Sequence, residues 1–593
     1  MSSLQLPTLQ LLASKIPSDI SPTHVAQEWL KNFTAAIASE HSSLRSLFVE
    51  DGFWRDQYAL SWDLRTIQGL DRILDYLEHH LAESRFLVGA LVRDQHRTPL
   101  LIKPLPDLVF LQLSFKFETA VGTGTGTCRL VNSAGIWKAY TLYTALEALK
   151  GFPENTGAFR DANIGHGDWA KKRAVEHELA GDNPVVLIVG AGHTGLALGA
   201  RLKALGIRAL VVEQRRRVGD NWRDRYKTLS LHDPVWYNRM PYLNYPSTWP
   251  VYAPAPKLGE WLESFANSLE LDVWTSSTVD DALWNEQTKT WTVHVARNGL
   301  SKSVEAKHLV LATGLGGGAP NMPVVPGQEL FKGNAMHSTD FFSAEDYLGK
   351  RVVVVGAGSS GHDIAHDFAN HEVDVTMFQR SATVIVSAKT FNAGLTRLYN
   401  EDTPVEVSDH LSVSLPTRVG LEFYRRIFPH LAATSEKTLL DGLEQAGFKT
   451  SLGPGNGGPL PLVYERAGGY YLDTGASQQI IDGKIKVRSG GEIERFTENG
   501  LQFCDGSELE ADVVIFATGF GDPRDVAKRI CGEQVYAKLG PVWGLTDEGE
   551  LGRMWRECGQ ENLWLTTGNL AMSRQYSRLL ALRIKAEEEG LIL

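Results

Sequence analysis

Cysteine is scarce in this chain: four in 593 residues. They stand far apart, at Cys128, Cys504, Cys531 and Cys558, with no C-x-x-C pair. That spacing excludes a zinc ribbon and a redox disulfide of the C-x-x-C type. It fits reduced thiols inside the cell, and a cytoplasmic location is expected. No run of 18 apolar residues occurs, so no membrane span is expected. Residues 1–19 lack the basic start and apolar stretch of a secretory signal. Basic blocks are missing as well, and a net charge of −11 argues against nucleic acid as a partner. Nor does the sequence carry a Ser-His-Asp set, paired carboxylates or a metal-ligating cluster, and no metal is expected.

What is present is ordinary globular composition, 43% apolar and 22% charged, over a length that suggests three or four domains. Two glycine fingerprints punctuate it. Gly190-Ala191-Gly192-His193-Thr194-Gly195 follows Val185-Val186-Leu187-Ile188-Val189, and Gly356-Ala357-Gly358-Ser359-Ser360-Gly361 follows Val352-Val353-Val354-Val355. A segment of helical apolar spacing follows each. A lone G-x-G-x-x-G is weak; one between a readable strand and a readable helix is a dinucleotide site. The first glycine makes the turn, the second admits a pyrophosphate, the third lets helix pack on strand, and the helix N-terminus offers its N–H groups. Two such units imply two dinucleotides.

The ends of the following strands separate them. Glu213 closes Ala209-Leu210-Val211-Val212 and lies 23 residues after Gly190. A carboxylate there accepts from an adenosine ribose and repels a 2′-phosphate, which suits FAD or NAD, and beside an NADPH site it reads as FAD. In the second unit Gln379 occupies the same position and Arg380 follows. A neutral amide beside a guanidinium suits the 2′-phosphate of NADPH, which Arg grips with two hydrogen bonds. The competing reading of Arg380 is a solvated surface arginine.

Ahead of the first fingerprint, helical patterns over 25–37 and 70–81 precede strand patterns at 108–119, 128–131 and 137–142, with Gly122-Thr123-Gly124-Thr125-Gly126 read as a turn. Helices followed by antiparallel strands describe an α+β unit. The expected fold is therefore α/β, two Rossmann-like domains for FAD and NADPH preceded by a small α+β cone. The expected boundaries are 1–150 for the cone, 151–182 for a linker, 183–345 and 481–593 for the two parts of the FAD domain, and 346–480 for the NADPH domain. Through Leu47-Phe48-x4-Phe53-Trp54-Arg55-Asp56, Thr66-x-x-Gly69 and Trp137-Lys138-Ala139, the first unit resembles nuclear-transport-factor-2-like domains. Such domains hold a pocket or mediate dimerisation, so a homodimer is compatible with it. Trp54, Arg55 and Asp56 themselves read as core packing and a local ion pair.

Further segments extend the flavin reading: Gly219-Asp220-Asn221-Trp222, Leu309-Val310-Leu311-Ala312-Thr313-Gly314, Phe331-x-Gly333-x3-His337-x3-Phe341, and Val513 to Phe516 followed by Ala517-Thr518-Gly519-Phe520. From about Asn183 onward the chain resembles the class B flavin-containing monooxygenases. Baeyer–Villiger relatives usually have Trp where Phe341 stands. Leu229-Ser230-Leu231-His232-Asp233-Pro234 looks like the L-x-L-H-x-P of the plant indole-3-pyruvate monooxygenases, as do Leu472-Asp473-Thr474-Gly475 and Ile480 to Val487. The arrangement with an N-terminal cone is more like filamentous-fungal members, many of them in secondary metabolism.

The resemblance implies that NADPH reduces FAD, that reduced flavin takes O2, and that a C4a-(hydro)peroxyflavin oxygenates a small organic substrate while the protein orients it and excludes water. By the same resemblance the cofactor-binding set is Gly190, Gly192, Gly195, Glu213, Trp222, Gly356, Gly358, Ser359, Ser360, Gly361, Arg380, Ala517, Thr518 and Gly519. His232 is placed beside the flavin, where animal-type members carry Asn, and His337 is listed with it as catalytic, although a structural role at the domain interface competes. The run Trp236, Tyr237, Tyr242, Tyr245, Trp249 and Tyr252 reads either as a wall of the reaction site or as ordinary packing. A ketone (Baeyer–Villiger) monooxygenase and a non-oxygenating NADPH oxidase or redox sensor remain as alternatives. A disulfide reductase conflicts with the missing C-x4-C pair.

Overall fold

The computed structural model describes residues 4–39, 41–163, 167–179 and 183–592. In the first unit, Ser21 accepts from the His24 N–H and Pro22 opens the helix Pro22–Ala38, two local start signals. Its buried residues Ala26, Trp29, Leu30, Phe33 and Ile37 recur at three- and four-residue spacing, so one face meets the sheet. With the helix Leu70–Ser84 it covers one side of a seven-stranded sheet. Trp29, Phe33, Phe48, Trp54 and Phe115 stack in that core.

The glycines at 122, 124 and 126 correct the sequence reading: they belong to the strand Gly122–Ser133 and make no turn. A Cβ at Gly126 would run into the Phe115 ring, and one at Gly124 into the Phe117 ring. The rings on the neighbouring strand Leu108–Glu118 occupy the space where side chains would stand, so glycine marks close approach.

The second side of this sheet is covered by the rest of the chain. Thr127 meets His410 across 2.8 Å, Arg129 donates to the Ser414 hydroxyl at 2.8 Å, and Phe110 packs on Phe423 of the helix Thr417–Ala433. Of the linker, 164–166 and 180–182 lie outside the described residues. Its helix Trp169–His177 leans on the unit that follows, with Trp169 Nε1 donating to Glu270.

Two parallel five-stranded sheets follow. The first runs Asp272–Trp274, Ala209–Val212, Val186–Val189, His308–Leu311, Leu563–Leu565. The second runs Asn334–His337, Val513–Phe516, Arg351–Val355, Asp374–Gln379, Ile485–Ser489. Strand membership therefore differs from the expected boundaries. Asn334–His337 and the strands at 485–489 and 513–516 complete the second sheet, and the chain returns to the first only with Leu563–Leu565. A parallel sheet takes strands from distant segments through crossovers, which short apolar runs do not announce. Among the described residues, no helix is long and apolar enough to cross a membrane.

Candidate functional site

Each fingerprint is a strand–turn–helix in which the three glycines do different work. Gly190 has φ +108°, and a Cβ there would lie 2.5 Å from the Ala312 carbonyl oxygen. Gly195 is pressed against the Gly190 carbonyl. Gly192 faces open space, with nothing nearer to a built Cβ than Asn221 Nδ2 at 3.7 Å. The second unit repeats this arrangement. Gly356 has φ +119° and meets Ala517 O at 2.5 Å, Gly361 is pressed on Gly356 O, and Gly358 has only Tyr470 O at 3.9 Å. Two positions are thus glycine because backbone fills the space, and one because the space is free, at the N-terminus of His193–Ala204 or of Ser359–Asn370. That is a cradle of the size and polarity a phosphate needs.

The flanking groups fit the dinucleotides. Glu213 is buried at the mouth of the first turn, one oxygen accepting from Ala191 N and the other from Arg215 N, both at 2.8 Å. Each oxygen keeps a lone pair for a ribose diol. The Trp222 indole N–H and His193 Nδ1 are buried without a partner, their rings 6.1 Å apart. Orphaned polar atoms beside an open glycine are what a bound group would satisfy. At the second site Arg380 is exposed, with no partner among the described residues. Gln379, by contrast, is fully buried and spent: it donates to Thr383 Oγ1 and Lys449 O and accepts from Lys449 N and the Ser489 hydroxyl. The amide contributes neutrality there, and Arg380 alone faces outward.

His232 is brought to the second fingerprint helix. Its Nε2 lies 3.4 Å from Asp363 Oδ1, Tyr226 donates to Asp363 Oδ2 at 2.8 Å, and Asn392 Nδ2 donates to the His232 carbonyl at 2.8 Å. Burial works against charge on His232, yet hydrogen bonding and attraction to Asp363, with Asp233 and Asp473 behind it, raise its pKa above the ordinary value. Asp233 is buried, which pushes its carboxyl up to about 6.

In sequence, the family model described as pyridine nucleotide-disulphide oxidoreductase matches residues 187–403. The indole-3-pyruvate monooxygenase YUCCA8 of Oryza sativa subsp. indica is 31% identical over 345 residues, 57% of this chain and 76% of its own. The probable indole-3-pyruvate monooxygenase YUCCA3 of Arabidopsis thaliana is 31% identical over 340 residues, 56% and 72% respectively. The chain belongs to the flavin-containing monooxygenase family. Members are FAD- and NADPH-dependent oxidoreductases. Among solved structures, an open crystal structure of cyclohexanone monooxygenase overlays with TM-score 0.50 at 19% identity, covering 69% of this chain and 88% of that one. A steroid monooxygenase bound to NADP overlays with TM-score 0.50 at 20% identity, covering 69% and 86%. These two speak for the fold.

Within a flavin monooxygenase frame the remaining candidates separate. His337 was expected as catalytic, but both its ring nitrogens are occupied within the chain. Nδ1 accepts from Thr339 N at 3.2 Å, so Nε2 carries the proton donated to Gly519 O at 3.1 Å. Burial lowers its pKa. It braces the Ala517-Thr518-Gly519 turn that abuts Gly356, and Thr518 adds a hydrogen bond to Asn321 O. No free nitrogen is left for acid–base work.

The aromatic run also divides. Tyr245 and Trp249 stack at 4.5 Å and pack on Trp261, while Tyr242 donates to Glu154 and Trp236 to Glu401. These are scaffold contacts. Tyr237 meets Tyr399 edge-on and receives Asn569 Nδ2 at 3.5 Å, whereas Tyr252, though it receives Asn392 Nδ2 at 3.4 Å, is 39% exposed. Asn392, Tyr399, Asn569 and Asp363 were not singled out from sequence. Asp363 follows the second fingerprint by two residues, past the first turn of its helix, and no sequence pattern marked it.

Proposed function

We propose that the protein inserts one oxygen atom of O2 into a small organic substrate held between His232 and Tyr237. The observation that carries this is the doubled cradle, two open glycines on two separate parallel sheets, each with its ribose-end group. Bound FAD would supply the redox chemistry, taking hydride from NADPH and activating O2. The chain's own work is binding, orientation and exclusion of water. The turns at Gly192 and Gly358 hold the pyrophosphates, Glu213 takes the flavin-side ribose, and Arg380 selects the 2′-phosphate. His232 and Asn392 line the reaction side, with Tyr237, Tyr399 and Asn569 forming the wall. Asn392 Oδ1 is buried without a partner and is available to a substrate donor.

The N-terminal unit reads as a nuclear-transport-factor-2-like cone, as in fungal-type members. Both faces of its sheet are occupied by the same chain, which favours a brace over a dimerisation surface. The experiment is NADPH-driven oxygen uptake by the FAD-loaded protein with indole-3-pyruvate-like oxo acids, amines, sulfides and ketones. Oxygenated product in step with NADPH supports the reading. Hydrogen peroxide alone with every substrate would leave an NADPH oxidase.

A further inference from the structure

The helix Ser359–Asn370 carries no acidic side chain in its first turn, which leaves that turn to an anion. Asp363 stands just past that turn, two residues after Gly361. Its two oxygens are committed to the flavin unit: Oδ2 to the Tyr226 hydroxyl and Oδ1 toward His232 Nε2. Tyr226 also meets the Ser360 hydroxyl, on the turn itself. The other groups facing His232 are Asp233 from its own segment, Asp473 from the strand Tyr470–Asp473, and His362 from the fingerprint helix. His362 lies flat on Tyr471 at 4.0 Å, and burial lowers its pKa to about 4, so it is neutral. Tyr471 in turn meets His232 edge-on at 6.0 Å. Of the three carboxylates, only Asp363 is in ion-pair contact with the imidazole among the described residues.

We propose that Asp363 is a positioning residue: it orients the His232 imidazole from the helix whose N-terminus would hold the NADPH pyrophosphate, so that the nucleotide helix and the reaction-side histidine move as one piece. The proposal rests on the reading of His232 given above. The raised pKa of His232 agrees with it, because burial alone would act the other way.

Histidine NMR titration of the FAD-loaded full chain tests this, with His232 assigned through His232→Gln. In Asp363→Asn the His232 midpoint is expected to fall by about one unit or more, since a near opposite charge is lost. Asp363→Glu keeps the charge and should retain most of the shift. An unmoved midpoint in Asp363→Asn overturns the proposal. Should that variant not fold, Tyr226→Phe removes the competing donor from the same carboxylate and should raise the midpoint, and no rise there is equally fatal. A fallen midpoint in Asp363→Asn, with product coupling unaffected in His232→Ala, leaves the clasp standing and removes the oxygenation role of His232.

Discussion

Arg55 and Glu550, 495 positions apart in the chain, form a two-pronged ion pair in which Nε and Nη2 meet the two carboxylate oxygens at 2.7 and 2.8 Å. Both side chains are buried, with 5% and 1% exposure. Thr66 donates to the same carboxylate, and Arg55 Nη1 donates to the Val413 carbonyl at the end of the helix Val405–Val413. One guanidinium thus joins the N-terminal sheet, a late hairpin and a helix of the nucleotide region.

Glu550→Gln leaves that guanidinium buried without a counter-charge and should cost about 3–5 kcal/mol. Arg65 and Glu548 are paired nearby but partly exposed, so Glu548→Gln should cost at most about 1 kcal/mol. Urea titration of both variants checks the difference. Equal losses would mean that burial does not set the value of these pairs.

Gly192→Val should fold, since a side chain there meets no protein atom closely, and should fail to keep FAD because the added methyls take the pyrophosphate's place. Absorbance at 450 nm per mole of folded protein is the measurement. A yellow, stoichiometric Gly192→Val protein would remove the first fingerprint from the flavin site.

Arg380→Ala should weaken NADPH by about 1.5–3 kcal/mol, roughly ten- to a hundredfold, and leave NADH nearly unchanged. Titration of both coenzymes decides it. Equal losses would return Arg380 to the status of a surface residue.

His232→Ala should leave anaerobic flavin reduction by NADPH almost intact, because hydride transfer depends on how the nicotinamide lies against the flavin. The share of NADPH consumed to make hydrogen peroxide should rise, because the reaction side loses a polar wall and admits water. Stopped-flow reduction and a peroxide assay measure the two halves. Slowed reduction with unchanged coupling contradicts the assignment.

His410 predicts acid lability at the junction with the N-terminal sheet. Burial, only partly offset by Glu147, holds its pKa at about 3 against an ordinary 6.5. A lowered folded-state pKa gives stability that is complete above pH 6.5 and is lost as pH falls toward 3, with a slope of about 1.4 kcal/mol per pH unit. Asp56 and Asp233, both raised to about 6 by burial, act in the opposite sense, so the difference between proteins is the quantity to read. His410→Gln should flatten the loss between pH 6 and 4. An unchanged slope would show that His410 takes up no extra proton on unfolding.

What the sequence disclosed follows from distance along the chain. The fingerprints were legible because a turn, its strand and its helix are contiguous, and the place of Glu213 because it lies at a fixed offset from the first glycine. Glycines 122–126 were misread because the rings that demand them lie on the next strand, and the burial of Gln379 was hidden because its partners Lys449 and Ser489 are remote. His337 was recognisable within its motif, yet its role needed Gly519 beside it. Neither the Arg55–Glu550 pair nor the Asp363 clasp can be read from composition or periodicity, since each joins segments that meet only in the folded molecule.

The strand Leu563–Leu565 and the helix Leu570–Glu588 finish a sheet whose first strand is Val186–Val189. His193 waits for the Gly568 carbonyl across 375 positions. On the ribosome, therefore, the first nucleotide fold emerges with an unpaired inner edge on His308–Leu311 and stays so while the whole second fold is made. Such an edge favours aggregation and late, slow closure. A first sheet that closes only with its last strand makes flavin capture an event of the end of synthesis rather than its middle.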